Sequence, residues 1–313
     1  MYINPFIKKS DDLVTTKEAR RTGFLDMALR RNIESIPFLN KAKSLYTTLK
    51  SKTTTCEDIL KMSDLRIALL DAAGVYSKTR NHLTDEDMDS LLKEFVEKIL
   101  IPCGEKYIDE IVYRYLMSLG EQLGGRMRNI IGVVARVKLT EQIISHLQLK
   151  GIKFKFYTNA TNWLDDYKPS YCEDIKAIQW GTGVNTRMLV HNLHVPIVSK
   201  NVDIVVVNKA STSLAKTALA PILKDPKSYV VLGELKGGID PAGADEHWKT
   251  ARGALSRLRS TFKKASICFI GGAIESAMAV EIYSQLNLGI LDYAANLNNI
   301  DQLNSLCGWL IQQ

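Results

Sequence analysis

The sequence contains few cysteines and no apolar run long enough to cross a membrane. No stretch reaches about 18 consecutive apolar residues, and the first residues, MYINPFIKKSDD, have charges where a secretory signal has its apolar segment. The five cysteines are scattered and form no C-x-x-C pair, which argues against a disulfide framework and a structural zinc site. We therefore expect a cytoplasmic protein with reduced thiols and no membrane contact.

The short motifs of several cofactor-dependent enzymes are also absent. There is no G-x-x-x-x-G-K-[ST] segment, which argues against an enzyme driven by ATP. There is no H-E-x-x-H segment, and the close pair His191 and His194 has no evident third ligand. We expect these two histidines in a turn or on the surface. Because GTGVNTR lacks the preceding strand of a dinucleotide fold, no organic cofactor is indicated.

The chain has the composition of an ordinary soluble protein and the length of one large or two modest domains. Of its 313 residues, 46% are hydrophobic and 24% are charged. Apolar residues recur at helical spacing in the first part, for example in the segment after Thr84-x-x-Asp87, which has the form of a capping box. The last of these helices, with apolar residues from Ile108 to Leu119, is expected to end at Gly124-Gly125.

From about residue 130 the pattern changes to short β-rich runs separated by turns or helical stretches. These runs are NIIGVVARV, IKFKFYT, VPIVSKNVDIVVVN, YVVLGELK and ASICFIGG. The pattern predicts an α/β fold with a mixed central sheet flanked by helices. We place a boundary near residues 115–125, between a mainly helical domain of residues 1–120 and a core domain of residues 121–313.

Basic residues concentrate in two segments, although the net charge is only +7. Residues 1–50 have ten Lys/Arg against five Asp/Glu, and residues 249–264 have six against none. Four cations of the second segment share one helical face, namely Lys249, Arg252, Arg259 and Lys263. An apolar stripe lies beside them: Trp248, Ala251, Leu255, Leu258 and Phe262. A solvated helix face explains this pattern by itself, and DNA becomes the expected partner only beside a site for phosphate chemistry.

A carboxylate, an ammonium and an imidazole lie close together in the segment from 230 to 251. Glu234 and Lys236 follow an apolar run, and His247 comes shortly after Gly237-Gly238. Side chains alternate along a strand, so Glu234 and Lys236 point to the same face. An ion pair at a strand end is the simplest interpretation of the two residues alone.

A second carboxylate, Asp203, interrupts the apolar run VSKNVDIVVVN about thirty residues earlier. A carboxylate at the edge of a buried run needs a cation, because desolvation otherwise costs several kcal/mol. Two strand-borne carboxylates supply hard oxygen ligands for Mg²⁺, with waters and substrate phosphate oxygens completing the shell. Asp203, Glu234 and Lys236 then form an Asp…Glu-x-Lys group.

This group resembles the motif of the PD-(D/E)XK nuclease superfamily. The longer stretch GELKGGIDPAGADEHWKTA is similar to the AvaI/BsoBI family of Type II restriction endonucleases. Val202 stands where the superfamily motif has proline. The resemblance covers most of the chain and implies a helical N-terminal region that contacts DNA, followed by a restriction-endonuclease-like core.

The resemblance implies a Mg²⁺-dependent endonuclease that cuts double-stranded DNA after the first C of the palindrome CYCGRG. The catalytic residues are then Asp203, Glu234, Lys236 and His247, of which Asp203 and Glu234 bind the metal. A palindrome implies a homodimer, in which each subunit cuts one strand. Lys200, Lys78 and Asp240 are candidates for reading bases, and Lys249, Arg252 and Arg259 for contacting phosphates.

Two other functions are compatible with the same residues. A repair or junction-resolving nuclease uses the same Asp…Glu-x-Lys core, and a non-catalytic DNA-binding protein can retain the fold without cleavage. Glu121 is interpreted as a helix residue and not as a third metal-facing carboxylate.

Overall fold

The computed structural model describes residues 4–158 and 162–313 of the chain. Two compact units are present: Met1–Phe24 together with Ile130–Gln313, and Leu25–Asn129. The helices are α1 (Lys17–Lys52), α2 (Arg66–Ala72), α3 (Ser77–Arg80), α4 (Asp85–Phe95), α5 (Ile101–Cys103), α6 (Tyr107–Leu149), α7 (Lys216–Leu223), α8 (Ala244–Thr261), α9 (Ser276–Asn287) and α10 (Ile300–Gln312). The strands are β1 (Phe154–Tyr157), β2 (Trp163–Leu164), β3 (Ala177–Trp180), β4 (Arg187–Val195), β5 (Lys200–Val207), β6 (Tyr229–Lys236), β7 (Ser266–Gly271) and β8 (Tyr293–Asn296).

The unit Leu25–Asn129 is helical, with its own apolar core. Leu45 and Leu49 of α1 share that core with Phe95 of α4 and Ile111 of α6. The capping box at the start of α4 is formed as predicted, because the Thr84 hydroxyl accepts from the Asp87 amide and the Asp87 carboxylate accepts from the Thr84 amide. The prediction of a helical first part is therefore confirmed.

The prediction that the last of these helices ends at Gly124-Gly125 is wrong. Helix α6 continues through both glycines and through NIIGVVARV, which was expected to be a strand. A glycine in a helix interior costs only about 1 kcal/mol. Beyond the glycines, Ala135, Leu139 and Ile143 recur at helical spacing and are buried against the sheet. Their burial outweighs the local preference of the glycines and the β-branched residues.

The other unit is built on an eight-stranded mixed sheet. The strand order is β2-β1-β3-β4-β5-β6-β7-β8, and the pairing is antiparallel from β2 to β6 and parallel from β6 to β8. Helices α8 and α9 cover one face, and α10 with the second half of α6 covers the other. The predicted fold class, an α/β core with a mixed sheet and a helical N-terminal region, is confirmed.

The predicted domain division differs from the two compact units in its limits. Residue 120 lies inside α6, and Met1–Phe24 belongs to the unit that contains the sheet. Thr15, near the start of the chain, is buried and bonds to Ile274, which follows β7, and to Asn296, the last residue of β8. Sequence patterns do not report such long-range pairing, which explains why the first residues were assigned to the helical part.

Two smaller expectations concern single side chains. His191 is not in a turn or on the surface, because it lies on β4, is only 7% exposed, and its Nε2 is 3.0 Å from the Thr140 hydroxyl. His194 is exposed, with Nδ1 3.3 Å from Oδ1 of Asn201.

All five cysteines are free. Within the described ranges, no helix is both long and apolar enough to span a membrane.

Candidate active site

The two predicted carboxylates lie on neighbouring strands at the same level of the sheet. Strands β5 and β6 are antiparallel, and Ile204 is paired with Gly233. In an antiparallel register, the residue before Ile204 lies beside the residue after Gly233. Asp203 and Glu234 are therefore neighbours, although 30 residues separate them in the chain.

Lys236 joins the two carboxylates. Its Nζ atom donates to Oδ2 of Asp203 at 3.0 Å and to Oε2 of Glu234 at 2.5 Å. The same Oδ2 atom of Asp203 accepts from the amide of Leu235 at 2.9 Å. These bonds hold the three side chains in one cluster with two negative groups and one positive group.

Burial makes this cluster electrostatically unusual. Glu234 is only 6% exposed. Desolvation, together with the nearby Asp203 carboxylate, raises the pKa of Glu234 to about 7. Burial alone would lower the pKa of Lys236, but the adjacent Glu234 and Asp203 carboxylates raise it above its ordinary value. Lys236 therefore stays charged, and the buried carboxylate gains from any further cation that approaches it.

His247 begins the covering helix but does not contact the cluster. It lies in the first turn of α8 and is exposed. Its Nε2 atom is 3.4 Å from the position that a Cβ on Gly243 would occupy, so the ring turns back along the helix start. No hydrogen bond joins it to Asp203, Glu234 or Lys236 in the described parts of the chain.

The candidate base-reading residues are all exposed. Asp240 precedes a short 3-10 turn, and its Oδ1 accepts from the Ala242 amide at 2.9 Å. Lys200 is the first residue of β5. Lys78 lies on α3 in the unit Leu25–Asn129. Asp240 and Lys200 thus belong to the unit that carries the Asp203–Glu234–Lys236 cluster.

Comparison with known proteins identifies the family of the chain. A family model described as restriction endonuclease BsobI matches residues 3–313. The chain belongs to this restriction endonuclease family. It is 42% identical over 315 residues to the Type II restriction enzyme AvaI of Nostoc sp. (strain PCC 7120 / SAG 25.82 / UTEX 2576), with 98% of each chain covered. It is also 42% identical over 315 residues to the Type II restriction enzyme BsoBI of Geobacillus stearothermophilus, covering 97% of this chain and 96% of that enzyme.

The family membership confirms the predicted enzyme class, a restriction endonuclease that hydrolyses DNA at specific sites. Members of such a family need a surface for a polyanion, so the charges around the cluster matter. The described parts of the chain contain no group of three or more His, Cys, Asp or Glu arranged to hold a metal ion. Asp203 and Glu234 place two carboxylate groups side by side at this point.

In this restriction endonuclease, the predicted basic face of α8 is largely paired with acids. Lys249 pairs with Asp245 at 2.6 Å, and Arg252 Nη1 donates to Oε2 of Glu281 at 2.8 Å. The Arg259 guanidinium donates to the carbonyls of Ile290 and Ala265 and to the carboxylate of Asp292. Since all three of its nitrogens are engaged, Arg259 ties α8 to the segment before β8. Its predicted contact with DNA finds no support in this geometry.

The strand end that carries Lys236 is held by a residue near the start of the chain. The carbonyl of Lys236 accepts from the Gly272 amide at 2.7 Å. The carbonyl of Gly272 accepts from the Thr15 hydroxyl at 3.0 Å, and that hydroxyl accepts from the Ile274 amide at 2.9 Å. A Cβ on Gly272 would lie 2.7 Å from the carbonyl oxygen of Gly238 and 2.8 Å from that of Gly237. Only glycine permits this close approach.

Two residues near the cluster were missed by sequence reasoning. Thr15 carries no motif, and only the structure brings it to the strand end. Arg257 was counted among the basic residues of 249–264, but not among those sharing the predicted basic face. It lines a small cleft with Glu234 and Lys200. The sequence feature that could have drawn attention to Arg257 was its position on α8, one turn after a glycine, Gly253.

Proposed function

We propose that this restriction endonuclease is a Mg²⁺-dependent homodimer that cuts double-stranded DNA within CYCGRG, after the first C, leaving 5′ overhangs. The observation that carries the proposal is the bridging of Asp203 and Glu234 by Lys236 at one strand end. This Asp…Glu-x-Lys arrangement suits metal-assisted phosphodiester hydrolysis. The recognised sequence and the cut position come from the family resemblance.

The residues present fit a divalent metal. Asp203 and Glu234 offer hard carboxylate oxygens, which Mg²⁺ prefers, and these two residues would hold the ion. Burial and the nearby Asp203 carboxylate raise the pKa of Glu234 to about 7, and a cation at this position would favour its charged form. A bound metal lowers the pKa of its water and offsets charge on the phosphoryl oxygens.

The protein side chains then divide the remaining work. Lys236 donates to a phosphoryl oxygen or to the attacking water, which stabilises negative charge as it develops. The water oxygen forms a bond to phosphorus while the bond from phosphorus to the 3′ oxygen breaks. The departing 3′ oxygen takes a proton from solvent water, which leaves a 5′ phosphate and a 3′ hydroxyl. His247 orients this water or accepts its proton, since an imidazole nitrogen can act as a general base.

Base recognition is assigned to residues outside the cluster. A donor such as Lys200 or Lys78 that contacts purine N7 and not the six-position group accepts both A and G, as the degenerate positions of CYCGRG require. Asp240 accepts from a cytosine amino group with the oxygen that Ala242 does not occupy. Lys249 and Arg252 lie at the surface and contact phosphates. Two copies related by a two-fold axis match the palindrome.

The proposal is tested by digesting a plasmid that contains CYCGRG sites, with Mg²⁺ and with excess chelator, and by sequencing the ends. We expect discrete 5′ overhangs at CYCGRG with Mg²⁺ and intact plasmid with chelator. Cuts at other discrete sites would overturn the assigned recognition sequence. Cleavage confined to junctions or flaps would support a structure-specific nuclease instead. Sedimentation of the protein with a DNA duplex checks for two subunits per site.

A further inference from the structure

The cleft beside Glu234 carries two exposed cations on its rim. Lys200 and Asn201 line it from β5, and Ala254 and Arg257 line it from α8. Its volume is only about 20 Å³, so it is a notch at the surface and not a pocket that encloses a ligand. A backbone phosphate of DNA can rest on such a notch with its oxygens against the rim. Buried Glu234 forms part of the wall.

Arg257 differs from the other arginines of α8 in having no acidic partner. Arg252 pairs with Glu281, and Arg259 with Asp292. In the parts of the chain that the structure describes, no ion pair or hydrogen bond engages the exposed guanidinium of Arg257. An arginine presents five donors in a planar fork that matches a phosphate. The helix therefore has one guanidinium available for such a ligand, and it lies at the cleft.

The helix turn next to Arg257 carries only small residues. Gly253 and Ala254 form the preceding turn on this side, and Nη1 of Arg257 lies 3.8 Å from where a Cβ on Gly253 would be. The guanidinium therefore lies along the helix over a residue without a side chain. A DNA strand can approach this turn more closely than it could approach a helix with longer side chains there.

Electrostatics also favours a cation at this point. Asp203 and Glu234 place two carboxyl groups beside a single ammonium, that of Lys236. A DNA backbone brought to this cluster adds further negative charge. Lys200 and Arg257 lie where they reduce the resulting repulsion before and during binding.

We propose that Arg257 binds a backbone phosphate of the strand being cut, next to the scissile phosphodiester, and so positions that strand over Glu234. This inference rests on the proposed function, because it requires DNA bound at the Asp203–Glu234–Lys236 cluster. The ligand is the phosphate and not a base. Arg257 therefore contributes affinity and register but no choice of sequence.

The experiment compares wild type, Arg257→Ala, Arg257→Lys and Lys264→Ala on a cognate duplex. Lys264 is an exposed cation just beyond α8, so its variant controls for loss of one positive charge. Binding is measured in chelator over a range of salt concentrations. We expect Arg257→Ala to weaken binding about tenfold and to reduce the slope of log Kd against log salt by about one per subunit. Arg257→Lys should retain most of the slope, and Lys264→Ala should match wild type.

A second measurement locates the phosphate. Duplexes carry a single neutral methylphosphonate at each position around the cut site. At one position, the methylphosphonate should weaken binding by wild type. At the same position it should not weaken binding by Arg257→Ala, because that variant already lacks the contact. A wild-type slope and a wild-type methylphosphonate profile for a folded Arg257→Ala would overturn the proposal. An unchanged slope with altered cut sites would also overturn it, in favour of base reading.

The failure of this inference differs from failure of the proposed function. If wild type does not cut DNA at discrete sites, the proposed function is wrong. If wild type cuts and Arg257→Ala binds as wild type does, only the role of Arg257 is wrong. Thermal unfolding of each variant establishes that it is folded, and Arg257→Gln replaces the alanine variant if that one is not.

Discussion

The hydroxyl of Thr15 donates to the carbonyl of Gly272 at 3.0 Å, across 257 positions of the sequence. Gly272 in turn donates its amide to the carbonyl of Lys236 at 2.7 Å. A residue near the start of the chain thus supports the strand end that carries Lys236. The hydroxyl also accepts from Asn296 Nδ2 at 2.8 Å, so Thr15 is a junction of the buried network.

Replacing Thr15 by valine should slow cleavage as well as lower stability. The variant keeps the shape but leaves the Ile274 amide without its partner and removes one of two donors to the Gly272 carbonyl, the other being Asn298 Nδ2. An unsatisfied buried amide costs about 1–3 kcal/mol of unfolding free energy. Single-turnover rates of folded protein should fall, while Thr15→Ser should retain the wild-type rate.

Tyr283→Phe is the matched control for this prediction. It removes the bond from the Tyr283 hydroxyl to the Lys8 carbonyl, which holds the same N-terminal segment without contacting Gly272. We expect lower stability with an unchanged rate. If Thr15→Val cleaves as fast as Tyr283→Phe, the strand-end support has no part in catalysis.

Replacing Lys236 by alanine, or Glu234 by glutamine, should abolish most cleavage. Lys236→Ala removes the ammonium that bridges the carboxylates, and rate losses on the order of 10²–10³-fold are typical for a group that stabilises developing charge. Glu234→Gln replaces a buried carboxylate by a neutral group of similar shape. The cleavage rate of this variant should therefore fall while its unfolding free energy does not. Cleavage rates and urea unfolding of each variant check this. If both variants cleave at the wild-type rate, the cluster takes no part in the reaction.

His247→Ala should reduce the cleavage rate far more than DNA affinity. A general base contributes roughly 10²–10⁴-fold to rate, and the exposed ring makes no bond that supports the cluster. Single-turnover rates are compared with Kd measured in chelator. Equal losses in rate and affinity would instead indicate a binding role for the imidazole.

Asp240→Asn should change which sequences are cut. The carboxylate accepts from a cytosine amino group in the proposed complex, whereas an amide also presents a donor at that position. The bond from the Ala242 amide is retained, because the side-chain oxygen of asparagine still accepts it. Sequencing of cut ends from a genomic digest reads the effect. An unchanged set of sites would exclude Asp240 from recognition.

His191 should make the protein less stable in acid. Burial, reinforced by the nearby Arg136 charge, lowers the pKa of His191 to about 3. As pH falls below about 6.5, the ordinary pKa of histidine, His191 therefore binds a proton in the unfolded chain but stays neutral in the folded chain. This contribution is complete above that pH and is lost toward pH 3, at up to about 1.4 kcal/mol per pH unit.

Urea unfolding of wild type, His191→Gln and His194→Gln over about pH 4–7 measures this effect. The His191 variant should lose part of the acid dependence. The His194 variant should keep it, because that ring is exposed on the same strand. Equal acid dependence in all three proteins would contradict the assignment.

Much of the architecture could be predicted from local patterns. The run from Tyr229 to Lys236 and the apolar stripe of α8 are local features, and both form the predicted elements. Helix α6 could not be bounded in this way. Gly124-Gly125 is a local stop signal, whereas the burial of Leu139 and Ile143 that overrides it depends on the distant sheet.

The candidate site divides along the same line. The order of Asp203, Glu234 and Lys236 in the sequence determines which groups can meet, because strand alternation puts the last two on one face. Only the tertiary structure decides that β5 lies beside β6, that Lys236 bridges both carboxylates, and that Thr15 holds the strand end. It alone distinguishes Arg259, which is fully paired, from Arg257, which lies at the cleft. The physical reason is that a charge's role depends on its partners in space, and these lie far away along the chain.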